Sequence, residues 1–181
     1  PLAVRSVGGA APFTAQGFLE DARTALQRAE SLGTRAYVSM VPTQLRRLVA
    51  HGGPALDTLA AFGAVLVGGA ALRPEDRSAA LGSGIKLVEA YGTTETCGGV
   101  VYNGEPLTDV GLRFRDPATG QESPDGPGQL IISGPTLALG YRLRRDLTAS
   151  AFRADGFHSP DFGRRVPGGV DIESRLDQIV K

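Results

Sequence analysis

Ala64-Val65-Leu66-Val67-Gly68-Gly69-Ala70-Ala71 and Ile85-Lys86-Leu87-Val88-Glu89-Ala90-Tyr91-Gly92-Thr93-Thr94-Glu95-Thr96 are the two stretches that decide the fold class. Each is a short, mainly apolar run that ends in a small-residue turn. Runs of this kind read as buried strands of a parallel sheet feeding tight turns. The segments around them carry helical periodicity. Thr14 is a good N-cap, and Phe18, Ala22, Ala25, Ala29 and Leu32 then recur at spacings of four and three, with Gly33 as a C-terminal cap. Arg35 to Val41 reads as a strand. Pro42 opens a helix through Leu45, Leu48 and Val49 that Gly52-Gly53 ends, and Pro74 to Leu81 is a further helix. Strands alternating with helices predict an α/β layer with a parallel sheet.

From about Glu105 the texture changes. Turn signals crowd in at Asp116-Pro117, Thr119-Gly120 and Ser123-Pro124-Asp125-Gly126-Pro127-Gly128. Short strands such as Gly111 to Phe114 and Gln129 to Ser133 lie between them, and Asp146 is placed to cap a short helix from Leu147 to Phe152. This predicts a small antiparallel sheet or barrel. The expected division is therefore an α/β subdomain over 1–105 and a β-rich, barrel-like subdomain over 106–174.

Composition removes several classes of function. Nineteen basic residues balance 19 acidic ones in a chain of 181, and the arginine runs at Arg46-Arg47 and Arg142 to Arg145 are short. Attraction to nucleic acid or to an acidic membrane surface is not expected. No apolar run approaches the ~18 residues of a membrane span. Cys97 is the single cysteine, so no disulfide framework forms and a reducing cytoplasm is the expected setting.

The two turns are where chemistry is expected. In open α/β sheets ligands bind beyond the carboxyl ends of the strands. Gly68-Gly69-Ala70-Ala71 lets a ligand approach the backbone. Tyr91 to Thr96 gathers an aromatic face, the hydroxyls of Thr93 and Thr94, and the carboxylate of Glu95, which are parts suited to a base, a phosphate and Mg²⁺. An ordinary strand and turn with polar surface residues accounts for the same stretch equally well on composition alone. No G-x-x-x-x-G-K-[ST] stretch is present, which disfavours a P-loop nucleoside triphosphatase.

Tyr91-Gly92-Thr93-Thr94-Glu95 resembles the Y-G-x-T-E signature of adenylate-forming enzymes, the acyl-CoA synthetases, luciferases and peptide-synthetase adenylation domains. Four further stretches match that family in order. Gly128 to Gly134 resembles G-E-L-x-I-x-G, and Leu139-Gly140-Tyr141 with Leu147 to Phe152 resembles G-Y…T-x-x-x-F. Asp155 to Asp161 resembles D-G-W-x-x-T-G-D, and Ser174 to Lys181 resembles G-R-x-D-D-x-I-K. The resemblance implies part of the family's large N-terminal domain and an AMP-forming acid–CoA ligase using ATP, Mg²⁺ and coenzyme A on a small-molecule carboxylic acid. It implies that Gly69, Ala70 and Ala71 line the adenine slot and that Tyr91, with Gly92 and Thr93 beside it, stacks on adenine. Thr94 would contact the α-phosphate, Glu95 would hold Mg²⁺, Asp161 would bind the ribose, and Arg175 would approach the ribose or phosphate. Residues 175–181 would be the hinge to a C-terminal domain, turning at Asp177.

Some positions depart from the pattern. Ser159-Pro160 replaces the family's Thr-Gly before the ribose-binding Asp, so the turn there must differ. Ser174 and Gln178 replace a Gly and an Asp of the hinge. Val41 to Leu45, Val65 to Gly69 and Tyr91 through Thr96-Cys97-Gly98-Gly99-Val100-Val101-Tyr102-Asn103-Gly104 together resemble the o-succinylbenzoate–CoA ligases of menaquinone biosynthesis. Cys97, Gly98 and Gly99 would then border an acyl pocket, although the two glycines would also serve a simple bulge. Cys97 reads as a pocket-lining or packing residue, since no base lies near it in sequence. His51 reads as a surface residue at a helix end. His158 reads either as a neighbour of the ribose site through Asp161 or as a surface residue.

The family's phosphate loop ending in P-K-G and its C-terminal lysine domain find no counterpart in this sequence, and Pro1-Leu2-Ala3-Val4-Arg5 is neither an initiator Met nor a signal peptide. A fragment or a reduced relative, inactive by itself, is the expectation. Two other readings stay open: a different acyl- or aryl-CoA ligase, and a non-catalytic nucleotide-binding remnant of the fold. The sequence leaves a homo-oligomeric state open.

Overall fold

Residues 12–175 of the computed structural model are described. Thr14 opens α1 (Ala15–Ser31) by accepting the Gly17 N–H at 3.1 Å, which satisfies one of the donors a helix start leaves unpaired. Then come β1 (Tyr37–Met40), α2 (Pro42–His51), α3 (Pro54–Ala61), β2 (Ala64–Gly68) and α4 (Pro74–Gly82). β1 and β2 pair in parallel, Tyr37 opposite Ala64 and Met40 opposite Val67, with α2 and α3 as the connection between them. α2 starts at its proline and stops at Gly52, whose φ of 68° few other residues tolerate. α3, which the sequence reading did not anticipate, starts at Pro54 straight after Gly53. One apolar core joins these elements. Leu19, Leu45, Leu48 and Leu59 from the helices and Phe62 just after α3 meet Val65 and Val67 from β2.

The chain continues through β3 (Leu87–Thr93), a 3₁₀ turn (Thr94–Thr96), β4 (Gly98–Tyr102) and β5 (Glu105–Pro106). β3 runs on through Tyr91 and Gly92, so those two residues belong to the strand and only Thr94 onward forms the turn. β4 pairs antiparallel with β3, and β5 with β4. The antiparallel texture therefore begins before the change read from the sequence near residue 105. The chain divides into two compact units, Pro1–Val88 and Glu89–Lys181, at a point inside β3.

The second unit then adds β6 (Gly111–Arg115), β7 (Glu122–Ser123), β8 (Gly128–Ser133), α5 (Arg145–Ala151), β9 (Phe152–Arg153), β10 (Gly156–Val166) and β11 (Gly169–Arg175). Their sheet follows the order β11-β10-β8-β6-β7, with β9 paired to β10. Among the described residues it is an open antiparallel sheet; the expected barrel closure is not found. Side chains alternate across its faces. Leu112, Phe114, Leu130, Ile132 and Phe157 enter a second core with Val100, Val101 and Val110. Arg113, Arg115, Gln129, Ile131 and His158 hold the intervening register positions. Asp146 does not cap α5, because the helix starts one residue earlier. Its carboxylate instead receives the Arg144 guanidinium at 2.8 and 3.1 Å.

Candidate functional site

In the first unit, β2 hands over to the exposed loop Gly69-Ala70-Ala71, with Gly69 at φ 85°. Beyond the loop Leu72 is buried. Arg73 grips the buried Asp76 in a two-pronged contact of 2.7 and 2.8 Å that fixes the start of α4. Hydrogen bonding from Arg73 holds the Asp76 carboxyl below the usual carboxylate range. The loop is thus anchored behind while its three small residues stay open, with backbone as the only polar surface it offers.

In the second unit, the Tyr91 to Thr96 stretch is shaped by close backbone approach. A β-carbon on Gly92 would fall onto the Gly98 carbonyl, so only glycine lets β4 come this near. Thr96 is 1 % exposed and pins the turn from within. Its Oγ1 accepts the Thr93 N–H at 2.9 Å, and its one proton faces the Thr93 and Gly98 carbonyls at 3.0 and 2.7 Å. Cys97 takes a left-handed φ of 56° and is exposed, and Gly98 follows at φ 129°.

Tyr91, half-buried against the second core, donates its hydroxyl to Asp161 Oδ2 at 2.6 Å. Ser159, fully buried, donates to the same oxygen at 3.0 Å, and its Oγ lies 3.2 Å from the Tyr91 hydroxyl. Burial first, and the hydrogen bond to Asp161 second, push the Tyr91 phenol well above its ordinary value. Asp161 sits where β10 bulges: the β10–β8 register shifts between His158 and Phe162, across Pro160. A bulge is one of the few places in a sheet that tolerates a proline, which has no N–H to donate. The Asp161 N–H turns to Ser159 Oγ at 3.1 Å, and Gln129 Nε2 reaches the Ser159 carbonyl at 3.0 Å. Ser159, one of the positions that depart from the family pattern, thus takes part in seating Asp161.

Glu95, in the 3₁₀ turn, accepts the Tyr141 hydroxyl on Oε1 at 2.6 Å, while its carbonyl accepts the Ala138 N–H at 2.8 Å. Hydrogen bonding to Glu95 pushes the Tyr141 phenol up to about 12. Thr94 beside it is exposed. The fold therefore assembles Tyr91, Thr94, Glu95 and Asp161, together with Tyr141 and Ser159, in one unit. Gly98 has open space where a side chain would stand, whereas Gly99 is covered by the Tyr102 ring. Arg175 stands opposite Asp161 in the β10–β11 register. Asp177 lies outside the described residues.

Sequence reasoning missed two features. Tyr141 appears in it only as part of a motif, because its partner is 46 positions away. His158 is not a surface residue, one of the two readings the sequence left open. It is 7 % exposed, and its Nε2 lies 2.9 Å from Asp155 Oδ1. Arg115 contacts the other oxygen of Asp155 at 2.9 Å, Arg113 donates to the Asp155 carbonyl at 2.6 Å, and both arginines reach Glu122. His158 is the first cause, and Arg115 a later one, of an Asp155 pKa lowered to about 2. The alternation Arg113, Arg115 was the available signal, since charges at every second position mark one face of a strand. Among the described residues no group of three or more His, Cys, Asp or Glu side chains could hold a metal ion by itself.

Residues 9–142 match the family described as AMP-binding enzyme. A probable 2-succinylbenzoate–CoA ligase of Mycobacterium tuberculosis is 36 % identical over 150 residues, covering 81 % of this chain and 36 % of the relative. A 2-succinylbenzoate–CoA ligase of Enterococcus faecalis is 30 % identical, covering 82 % of this chain and 33 % of the relative. Among solved structures, ATP-bound MatB from Rhodopseudomonas palustris superposes with a TM-score of 0.73 at 30 % identity, over 91 % of this chain and 33 % of that one. The chain thus spans about a third of the length of the curated relatives it matches.

Proposed function

Because this chain belongs to the AMP-binding enzyme family, we propose that it carries the nucleotide site of an ATP-dependent acid–CoA ligase. The observation that supports this most is the 2.6 Å hydrogen bond between Tyr91 and Asp161. It joins two residues 70 positions apart that the family resemblance assigns to the base and the ribose of one nucleotide. The Tyr91 ring offers a stacking face, and Asp161, a carboxylate, can accept paired ribose hydroxyls. Thr94 reaches the α-phosphate.

In the reaction, a carboxylate oxygen of the acid bonds to the α-phosphorus of ATP. The bond to pyrophosphate breaks, leaving an acyl-adenylate. The CoA thiolate then bonds to the acyl carbon, and AMP departs with the electrons of the acyl–oxygen bond. Mg²⁺, when bound with ATP, neutralises charge on the phosphates. The donor set fits that ion, since Mg²⁺ is commonly held by one or two carboxylates together with substrate phosphates. Glu95 is the carboxylate that would take it.

We favour 2-succinylbenzoate as the acid, and with it a place in menaquinone biosynthesis. The Cys97-Gly98-Gly99 stretch and the two relatives support this choice. Open space beside Gly98 is where an aromatic acyl group would begin to fit. Acyl-sulfamoyl-adenosines, which mimic the acyl-adenylate without reacting, test it by calorimetric titration. The 2-succinylbenzoyl compound should bind at least about tenfold tighter than AMP, an acyl contribution of about 1.4 kcal/mol. Tighter binding of a plain aliphatic or cinnamic analogue would move the assignment to another acid. Failure of AMP and every analogue to bind would remove the nucleotide reading itself.

A further inference from the structure

Resting on the assignment of Glu95 to the nucleotide's metal, we propose that Tyr141 is a positioning residue that holds the Glu95 carboxylate in its working orientation. The geometry is specific. The hydroxyl donates to Oε1 at 2.6 Å, a length within the range of a charge-assisted bond. The Tyr141 ring is fixed edge-on against Phe152 at 5.6 Å, and Phe152 lies against Phe157 of the second core at 5.2 Å. The backbone is fixed too. Tyr141 N–H donates to Thr148 Oγ1 at 2.9 Å, and that hydroxyl donates to the Arg144 carbonyl at 2.9 Å. Ala138 N–H, three residues before Tyr141, ties down the Glu95 carbonyl at 2.8 Å.

The segment 138–148 therefore grips the turn twice, once by its backbone and once by its carboxylate. A glutamate side chain has three rotatable bonds, and holding it in one rotamer before a ligand arrives removes that ordering cost from binding. Tyr141 touches neither substrate nor reacting atoms in this scheme, so its effect passes through Glu95.

The test compares ATP binding with and without Mg²⁺, and AMP binding without Mg²⁺, for the 181-residue chain and for Tyr141→Phe, Glu95→Gln and the double variant. Tyr141→Phe keeps the ring contacts and removes only the hydroxyl. Its thermal unfolding is followed alongside, to show that it folds. The expected result is that Tyr141→Phe lowers the Mg²⁺ enhancement of ATP binding about tenfold, the worth of one charge-assisted bond. It should leave AMP binding within about twofold, and it should add little to Glu95→Gln in the double variant. A Tyr141→Phe chain with an unchanged Mg²⁺ response, beside a Glu95→Gln chain that loses it, overturns the positioning role and leaves the nucleotide reading intact. Additive losses in the double variant overturn it too, since independent residues add. A Glu95→Gln chain that keeps the full Mg²⁺ response removes the premise instead.

Discussion

Thr96 accepts one hydrogen bond and aims its proton at two carbonyls while only 1 % exposed. Thr96→Val keeps the shape and removes the hydroxyl that the Thr93 N–H and the Gly98 carbonyl share. A loss of about 1 kcal/mol is expected in urea unfolding, the net worth of a hydrogen bond whose partners stay within reach of water. Gly92→Ala should cost at least as much, because its methyl group would overlap the Gly98 carbonyl and one strand must move. Both residues stood in a motif readable from the sequence, yet their structural roles were not readable. A pattern of letters does not reveal which backbone crosses Gly92 or which carbonyls a threonine reaches. At Asp155 the prediction concerns pH. Its pKa is about 2 in the folded chain, against about 3.9 when unfolded. A carboxyl depressed on folding stabilises above its unfolded value, and that contribution is lost as pH falls through the folded one. Stability should therefore decline between about pH 4 and about pH 2. Asp155→Asn should flatten this limb and lower stability at neutral pH, as read by melting temperature against pH.

Among the elements, those with period and caps were legible. α1 shows apolar spacings of four and three behind Thr14, α2 and α4 start at prolines, and β2 is an unbroken apolar run. α3 escaped notice because Pro54 to Ala61 is only eight residues and largely apolar, so no stripe separates one face from another. The long β10 escaped because the bulge at Pro160 breaks its alternation. α3 ends on a device that can be tested. Lys86 Nζ donates to the Ala60 and Phe62 carbonyls, both at 3.1 Å, placing a cation at the negative end of the helix. Lys86→Met keeps an apolar stem and removes the charge, and should cost about 1 kcal/mol in chemical unfolding. An unchanged midpoint would mean that solvent replaces the lysine at no loss.

For the molecule as a whole, the sequence conveyed an α/β part followed by a β-rich part, and the family. It conveyed the order of the site residues but not their pairings, because Tyr91 with Asp161 and Glu95 with Tyr141 are joined by long-range folding. One consequence concerns turnover. The sequence contains no P-K-G stretch, and its lysines are Lys86, held at the end of α3, and Lys181. A polypeptide of these 181 residues should therefore bind nucleotide without measurable ATP–pyrophosphate exchange, since losing a single electrostatic donor to the transition state already costs about 10²–10³ in rate. Exchange at the rate of intact ligases would contradict this. The central claim is that Tyr91 and Asp161 form the nucleotide corner, and calorimetric titration of AMP into the chain tests it most directly. The account predicts saturable binding of one AMP per chain, weakened by about 1–3 kcal/mol in Tyr91→Ala, the worth of one stacking face. An AMP affinity that Tyr91→Ala leaves unchanged, or a chain that binds no AMP, would contradict it.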